Sequence, residues 1–246
     1  MLLTFLGTGT CIPTRERAPS GALLSIGAQN LLFDSGSGTI GRLVALGLDP
    51  TELDLLYYTH EHSDHTADLI PLLQAMQAVG RHRALHLTAP TAFFRFLDGL
   101  LELQPWAQPC TFEIVRHCAE YVPFAGPATA ITAAPTHNTP SSVGYRLQAE
   151  GSVLVLSGDA TFCPELIELS RGADLLVLEC SYPDGYVESD HLTASQAAQV
   201  AAEAGVRHLV LTHFYPPCKD PEIRAQVARV YKGRLTLAYD GLVLSI

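Results

Sequence analysis

His60-Glu61-His62-Ser63-Asp64-His65 is the stretch on which the reading of this chain turns. Three imidazoles and a carboxylate crowd into six residues. Nitrogen and oxygen donors of this kind are what a zinc-like cation takes. As a solvated turn the run makes poor sense, because such groups repel when protonated and gain nothing from packing. Its flanks place it. Leu55–Thr59 upstream is apolar and strand-like. Ala67–Val79 downstream carries Leu69, Leu72, Leu73, Met76 and Val79 on one helical stripe that Gly80 closes. In a turn between strand and helix, His60 and His62 face one metal, and Asp64 and His65, entering the helix, face another.

The same arrangement recurs along the chain. Ala130–Ala134 precedes His137, Val153–Ser157 precedes Asp159, Leu175–Leu178 precedes Glu179, and Leu209–Thr212 precedes His213. Ligands collect at the carboxyl ends of strands in layered α/β folds. Five strand ends, each followed by a residue fit for metal or acid-base chemistry, point to one site along one sheet edge. Asp159 follows Gly158, which permits a sharp turn, and a bridging carboxylate offsets the repulsion of two cations about 3.5–4 Å apart. Thr91–Leu103 reads as a second helix whose phenylalanines are core, and Thr193–Gln196 as a capping box opening a third that stops at Gly205.

Composition sets the bounds. The 246 residues are 48% hydrophobic and 16% charged, ample for a large core and unlike a disordered chain or a coiled coil. A formal charge of -10 argues against broad, sequence-blind nucleic-acid binding, which depends on Lys and Arg. No apolar run reaches the roughly 18 residues of a membrane span. The start, broken at Gly7 and lacking basic residues, does not read as a signal peptide. Six scattered cysteines, none in a Cys-x-x-Cys pair, suit reduced thiols in a cytoplasmic protein. With no linker and no repeat, residues 1–246 read as a single domain.

His-x-His-x-Asp-His resembles the signature of the metallo-β-lactamase fold superfamily, and the resemblance covers nearly the whole chain in motif order. It implies a four-layer αβ/βα sandwich, two mixed sheets flanked by helices, with a two-metal site along one edge. By that match His60, His62 and His137 bind the first metal, Asp64, His65 and His213 the second, and Asp159 bridges both. Asp159 rather than Cys departs from true β-lactamases. His62 rather than Glu departs from di-iron members and favours two zinc ions, with manganese as the alternative.

Further motifs resemble the ribonuclease Z group: Phe5-Leu6-Gly7-Thr8-Gly9, Phe33-Asp34-Ser35-Gly36, Gly144-Tyr145-Arg146, Leu178-Glu179-Cys180-Ser181, His191-Leu192-Thr193 and Thr212-His213-Phe214. The resemblance implies metal-assisted phosphodiester hydrolysis, best known at the 3′ end of precursor tRNA. Asp64 would accept a proton from the attacking water. His191, oriented by Glu179, would assist the leaving oxygen. Asp34 reads equally as a support for the metal histidines and as a turn residue.

Departures narrow the substrate. Only 22 positions separate His137 from Asp159, room for one hairpin, where tRNA-processing relatives insert a long tRNA-gripping arm. With the acidic charge, this favours a small phosphodiester or a short RNA over precursor tRNA. Two other functions share the motif: hydrolysis of a carboxylic ester, lactone or thioester by the same metals, and non-catalytic sensing of a ligand. A homodimer is the expected assembly. His82, His86, His117 and His208 lie outside the motif and read as surface or satisfied histidines. Arg15 and Arg17 read as solvated surface.

Overall fold

In a computed structural model the described residues are 1–121, 124–186 and 190–246. The chain lays down two sheets in succession. Strands β1 (Leu2–Gly7), β2 (Gly21–Ile26), β3 (Gln29–Phe33), β4 (Leu55–Tyr57), β5 (Leu85–Ala89) and β6 (Ile114–Cys118) form the first. Strands β7 (Ala130–Pro135), β8 (Val143–Ala149), β9 (Ser152–Leu156), β10 (Leu175–Glu179), β11 (His208–Thr212) and β12 (Arg234–Leu237) form the second. The last strand, β13 (Val243–Ser245), returns to the first sheet beside β1, giving the order β13-β1-β2-β3-β4-β5-β6. The second runs β12-β11-β10-β9-β8-β7.

Both sheets are mixed. Pairings around β1–β3 and β7–β9 are antiparallel hairpins, whereas β3-β4-β5-β6 and β9-β10-β11-β12 run parallel. Parallel strands covered on both faces read as continuous apolar runs, as in Leu175–Leu178.

Three apolar layers result. Phe5, Leu31, Phe33 and Tyr57 of the first sheet meet Tyr145, Leu147, Leu156 and Val177 of the second. The opposite face of the first sheet, with Leu23, Leu32 and Leu56, packs on helices α1 (Thr39–Ala45), α3 (Leu69–Ala78) and α4 (Thr91–Leu103) through Leu43, Leu72, Met76, Phe93 and Leu97. The outer face of the second, with Leu176, Leu178, Leu209 and Leu211, packs on α5 (Pro164–Ser170), α6 (Ala194–Glu203) and α7 (Asp220–Val230). Helix, sheet, sheet, helix is the four-layer sandwich. The capping box at Thr193 and Gln196 starts α6.

The two sheets are locked together beside the candidate site. Tyr145 donates its hydroxyl to the Tyr58 carbonyl at 2.7 Å, and the Val143 amide donates to the Thr59 carbonyl at 3.0 Å. Gly158, with φ +59°, turns the end of β9 so tightly that a Cβ there would lie 2.6 Å from Thr59 Cβ. That contact brings Asp159 of one sheet against His60 of the other.

Candidate metal centre

Strand ends and one helical turn supply the groups. Residues Tyr58–His62 follow β4, and Ser63–Thr66 form the short helix α2. Asp159 follows β9, Glu179 ends β10 and His213 follows β11. The pairing of Glu179 with Thr212 sets Glu179 level with the approach to His213. Asp34, His137 and His213 hold positive φ of 54°, 60° and 58°. Left-handed backbone at non-glycine residues costs energy and clusters at functional sites.

Six of the seven residues read as metal ligands converge. Ligand atoms of His60, His62 and Asp159 lie within 4.8 Å of one another, as do those of Asp64, His65 and His213. Asp159 joins the halves. Its Oδ2 is 3.6 Å from His60 Nε2, and its Oδ1 is 3.1 Å from His65 Nε2 and 3.2 Å from His213 Nε2. His213 Nε2 also lies 3.4 Å from Asp64 Oδ2.

The hydrogen bonds behind the rings assign their tautomers. Thr59 Oγ1 donates to Asp34 Oδ2 at 2.9 Å and therefore accepts from His60 Nδ1 at 3.0 Å. Ser181 Oγ donates to Glu179 Oε2 at 2.6 Å and therefore accepts from His213 Nδ1 at 3.0 Å. His65 Nδ1 donates directly to Asp34 Oδ2 at 2.7 Å. Each Nδ1–H is taken, so three Nε2 atoms turn inward.

Inward, those atoms need a positive charge. His60 Nε2 and Asp159 Oδ1 are buried without a hydrogen-bond partner. His65 Nε2 and His213 Nε2 face each other at 3.4 Å. Two ring nitrogens and a carboxylate oxygen this close repel unless a proton or a cation lies among them. Burial pushes the His65 imidazole down, but Asp159 and Asp34 hold it well above its ordinary value. Burial, then His65, keeps His60 well below, hence neutral as a ligand must be. The donor set fits divalent cations.

His137 stands apart from that group. Its side chain is 48% exposed, with Nε2 3.5 Å from Glu165 Oε2, and it clusters with Cys163 and Glu165 rather than with His60 and His62. Its backbone, however, bridges to Ala160, the residue after Asp159.

His191 and Glu179, read from the sequence as an acid-base pair, lie beside His213. His191 Nδ1 donates to Glu179 Oε1 at 2.9 Å, and the His191 ring lies 5.6 Å from that of His213. Burial would lower the His191 pKa, but Glu179, then Asp159 and Asp64, raise it to about 9. Glu179 is fully buried and also accepts from the Ala160 amide at 2.7 Å. One carboxylate thus holds His191, the backbone beside Asp159 and, through Ser181, His213.

Neither Thr59 nor Ser181 was given a role from the sequence, although Ser181 closes the motif Leu178–Ser181. Adjacency is the local signal: Thr59 precedes His60, and Ser181 follows Glu179 by two. Arg17 corrects the reading as solvated surface. It donates to Thr8 Oγ1 at 2.8 Å and the Ala238 carbonyl at 2.6 Å, and its guanidinium lies 4.4 Å from the Phe214 ring centroid. His86 and His117 pair at 3.0 Å between β5 and β6, and His208 pairs with Thr236 at 2.9 Å.

Comparison with known proteins agrees with this geometry. The beta-lactamase superfamily domain matches residues 29–214. Ribonuclease Z of Mycobacterium bovis is 30% identical, across 97% of this chain and 95% of its own length. The chain belongs to the ribonuclease Z-like branch of the beta-lactamase superfamily. As a member it is a metal-dependent hydrolase. Ribonuclease Z of Myxococcus xanthus is 29% identical, across 99% of this chain and 97% of its own. That alignment spans 303 positions against 246 residues here, so insertions in the relative make up the difference. Among solved structures, the metallo-beta-lactamase fold protein YhfI from Bacillus subtilis superposes with a TM-score of 0.87 at 27% identity, covering 99% of this chain and 98% of its own. Human tRNase Z, short form, gives 0.78 at 26%, covering 100% and 99%.

Proposed function

We propose that this branch member is a binuclear zinc phosphodiesterase acting on a small phosphodiester or the end of a short RNA. The observation that carries it is the His191–Glu179 pair beside Asp159 and His213. A held imidazolium there can give its proton to a departing alkoxide, the poor leaving group of a natural diester. The curated relatives carry the name ribonuclease, which agrees.

Seven residues would hold the cations: His60, His62 and His137 for one, Asp64, His65 and His213 for the other, and Asp159 between. His137 needs only its ring to turn, since its backbone already lies beside Asp159. The exposed pairing with Glu165 is weak and gives way easily. When bound, the metals supply charge for a phosphate oxygen and lower the pKa of a water. Asp64 offers a carboxylate oxygen to that water's proton. Glu179 fixes which His191 nitrogen faces the substrate.

The remaining assignments have narrower supports. Zinc follows from the imidazole-rich donor set, with manganese second. A short substrate follows from the charge of -10 and from the single tight hairpin, β8 to β9, between His137 and Asp159. A cytoplasmic location rests on six free cysteines. No helix among the described residues is long and apolar enough to cross a membrane. A homodimer rests on the family resemblance.

The test compares bis(p-nitrophenyl) phosphate with p-nitrophenyl acetate and a lactone on metal-loaded protein. The diester is turned over with the higher kcat/KM, and Asp64→Ala abolishes it. A nitrophenolate leaves without a proton, so His191→Ala costs little there, but about 10²–10⁴-fold in kcat on a dinucleotide. Faster carboxylic ester hydrolysis, or an inert metal-loaded protein, overturns the reading.

A further inference from the structure

A second group of metal-type donors lies outside the candidate metal centre. Cys163 and Glu165 flank Pro164 where the loop after Asp159 enters α5, and His137 faces both. A thiol sulfur, a carboxylate oxygen and a ring nitrogen, one from each residue, lie within 4.8 Å of one another. The loops that carry them are tied together. The backbone of His137 bridges to Ala160, and the Thr161 amide donates to the Thr136 carbonyl at 2.8 Å. His137 Nε2 and Glu165 Oε2 stand 3.5 Å apart, longer than a good hydrogen bond. Two ligands each about 2.1 Å from a tetrahedral cation stand about 3.4 Å apart. The spacing is that of a seat for a cation rather than of a closed ion pair. Cys163 is 6% exposed, whereas the side chains of His137 and Glu165 are 48% and 47% exposed. The sulfur thus forms the floor, and the other two groups form an open rim.

We propose that Cys163, Glu165 and the outward-turned His137 form a third cation site, for a thiophilic ion such as zinc, with water completing its shell. Thiolate and imidazole together select zinc-like over magnesium-like ions. Binding releases the thiol proton to solvent, and thiolate and carboxylate then offer two negative charges to one dication. The same imidazole is read above as a ligand of the first inner cation, and it cannot serve both. Filling the outer seat therefore takes His137 from the centre and acts as a brake. In that part the inference rests on the reading of His137 as an inner ligand. The seat is half-open and shares a ligand, so it fills after the centre. Turnover levels off at two equivalents and declines only with further metal.

Cobalt titrated into protein that already holds two equivalents of zinc tests this. Cobalt bound to thiolate absorbs in the near ultraviolet. None of the seven residues read as inner ligands is a cysteine, so the band reports the outer seat. It grows to one cobalt per chain, vanishes in Cys163→Ser, and needs about tenfold or more cobalt in Glu165→Gln. Serine suits the position before a helix. Glu165→Gln alters an exposed side chain and keeps the test open should Cys163→Ser misfold. No band, or a band that survives Cys163→Ser, overturns the site. Turnover of bis(p-nitrophenyl) phosphate on the same samples falls as the band grows and holds level in Cys163→Ser. A band with undiminished turnover overturns the sharing of His137. A band on protein with no turnover at any loading upholds the site and overturns the phosphodiesterase reading instead.

Discussion

An imidazole offers one nitrogen to a cation only when the other is occupied, and the hydroxyls of Thr59 and Ser181 settle that for His60 and His213. Each hydroxyl passes its own proton to a buried carboxylate, Asp34 or Glu179. Removing one leaves Nδ1–H without its acceptor and the ring free to turn. Ser181→Ala is expected to weaken zinc binding about 10- to 100-fold, while circular dichroism stays as in the parent protein. Competition with a chromophoric chelator measures it, and unchanged affinity would contradict the relay. The candidate ligands could be named from the sequence because metal chemistry demands rare residue types at close spacing. The relays could not, since any Ser or Thr beside a strand end looks the same until the sheets meet. His137 shows the opposite limit: sequence order names a residue but not where its ring points.

Elements that carry chemistry were also the easier ones to read. Strands β4, β7, β9, β10 and β11 each end at a chemically distinctive residue, and the sequence marks them. Strands β5, β6, β12 and β13 went unread. The last three are edge or near-edge strands, half-exposed and short, with no alternation sharp enough to betray them. Helix α1 kept only Leu43 of its apolar residues fully inside, with Val44 exposed, as is Leu46 just past its end. The end of the His60–His65 run, Ser63–His65, forms part of a short separate helix, α2, and the expected Ala67–Val79 helix begins at Leu69. One element-level contact titrates. His208 on β11, bonded to Thr236 on β12, is pushed by burial and by Arg234 down from 6.5 to about 4. Between those values the unfolded chain takes a proton that the folded chain refuses. The contribution is therefore present above about pH 6.5 and lost as pH falls toward 4. Urea unfolding in chelator at stepped pH should show a steeper acid loss for the parent protein than for His208→Gln. Parallel curves would contradict it.

At the scale of the whole molecule, two sheets meet face to face so that their strand ends share one rim. The Asp159 carboxylate then bridges groups that lie far apart in sequence. The four-layer arrangement came with the family resemblance, which the motifs carry in order along nearly the whole chain. The packing between the sheets, centred on Phe33, Tyr57 and Tyr145, did not, since nothing local in the sequence pairs those rings. The central claim is that this rim holds two cations that make a diester labile. Metal-free protein should be titrated with zinc while turnover of bis(p-nitrophenyl) phosphate is recorded. Turnover should start from near zero and level off at two equivalents per chain. Turnover that ignores zinc, levels off at one equivalent, or never appears in fully loaded protein would contradict it.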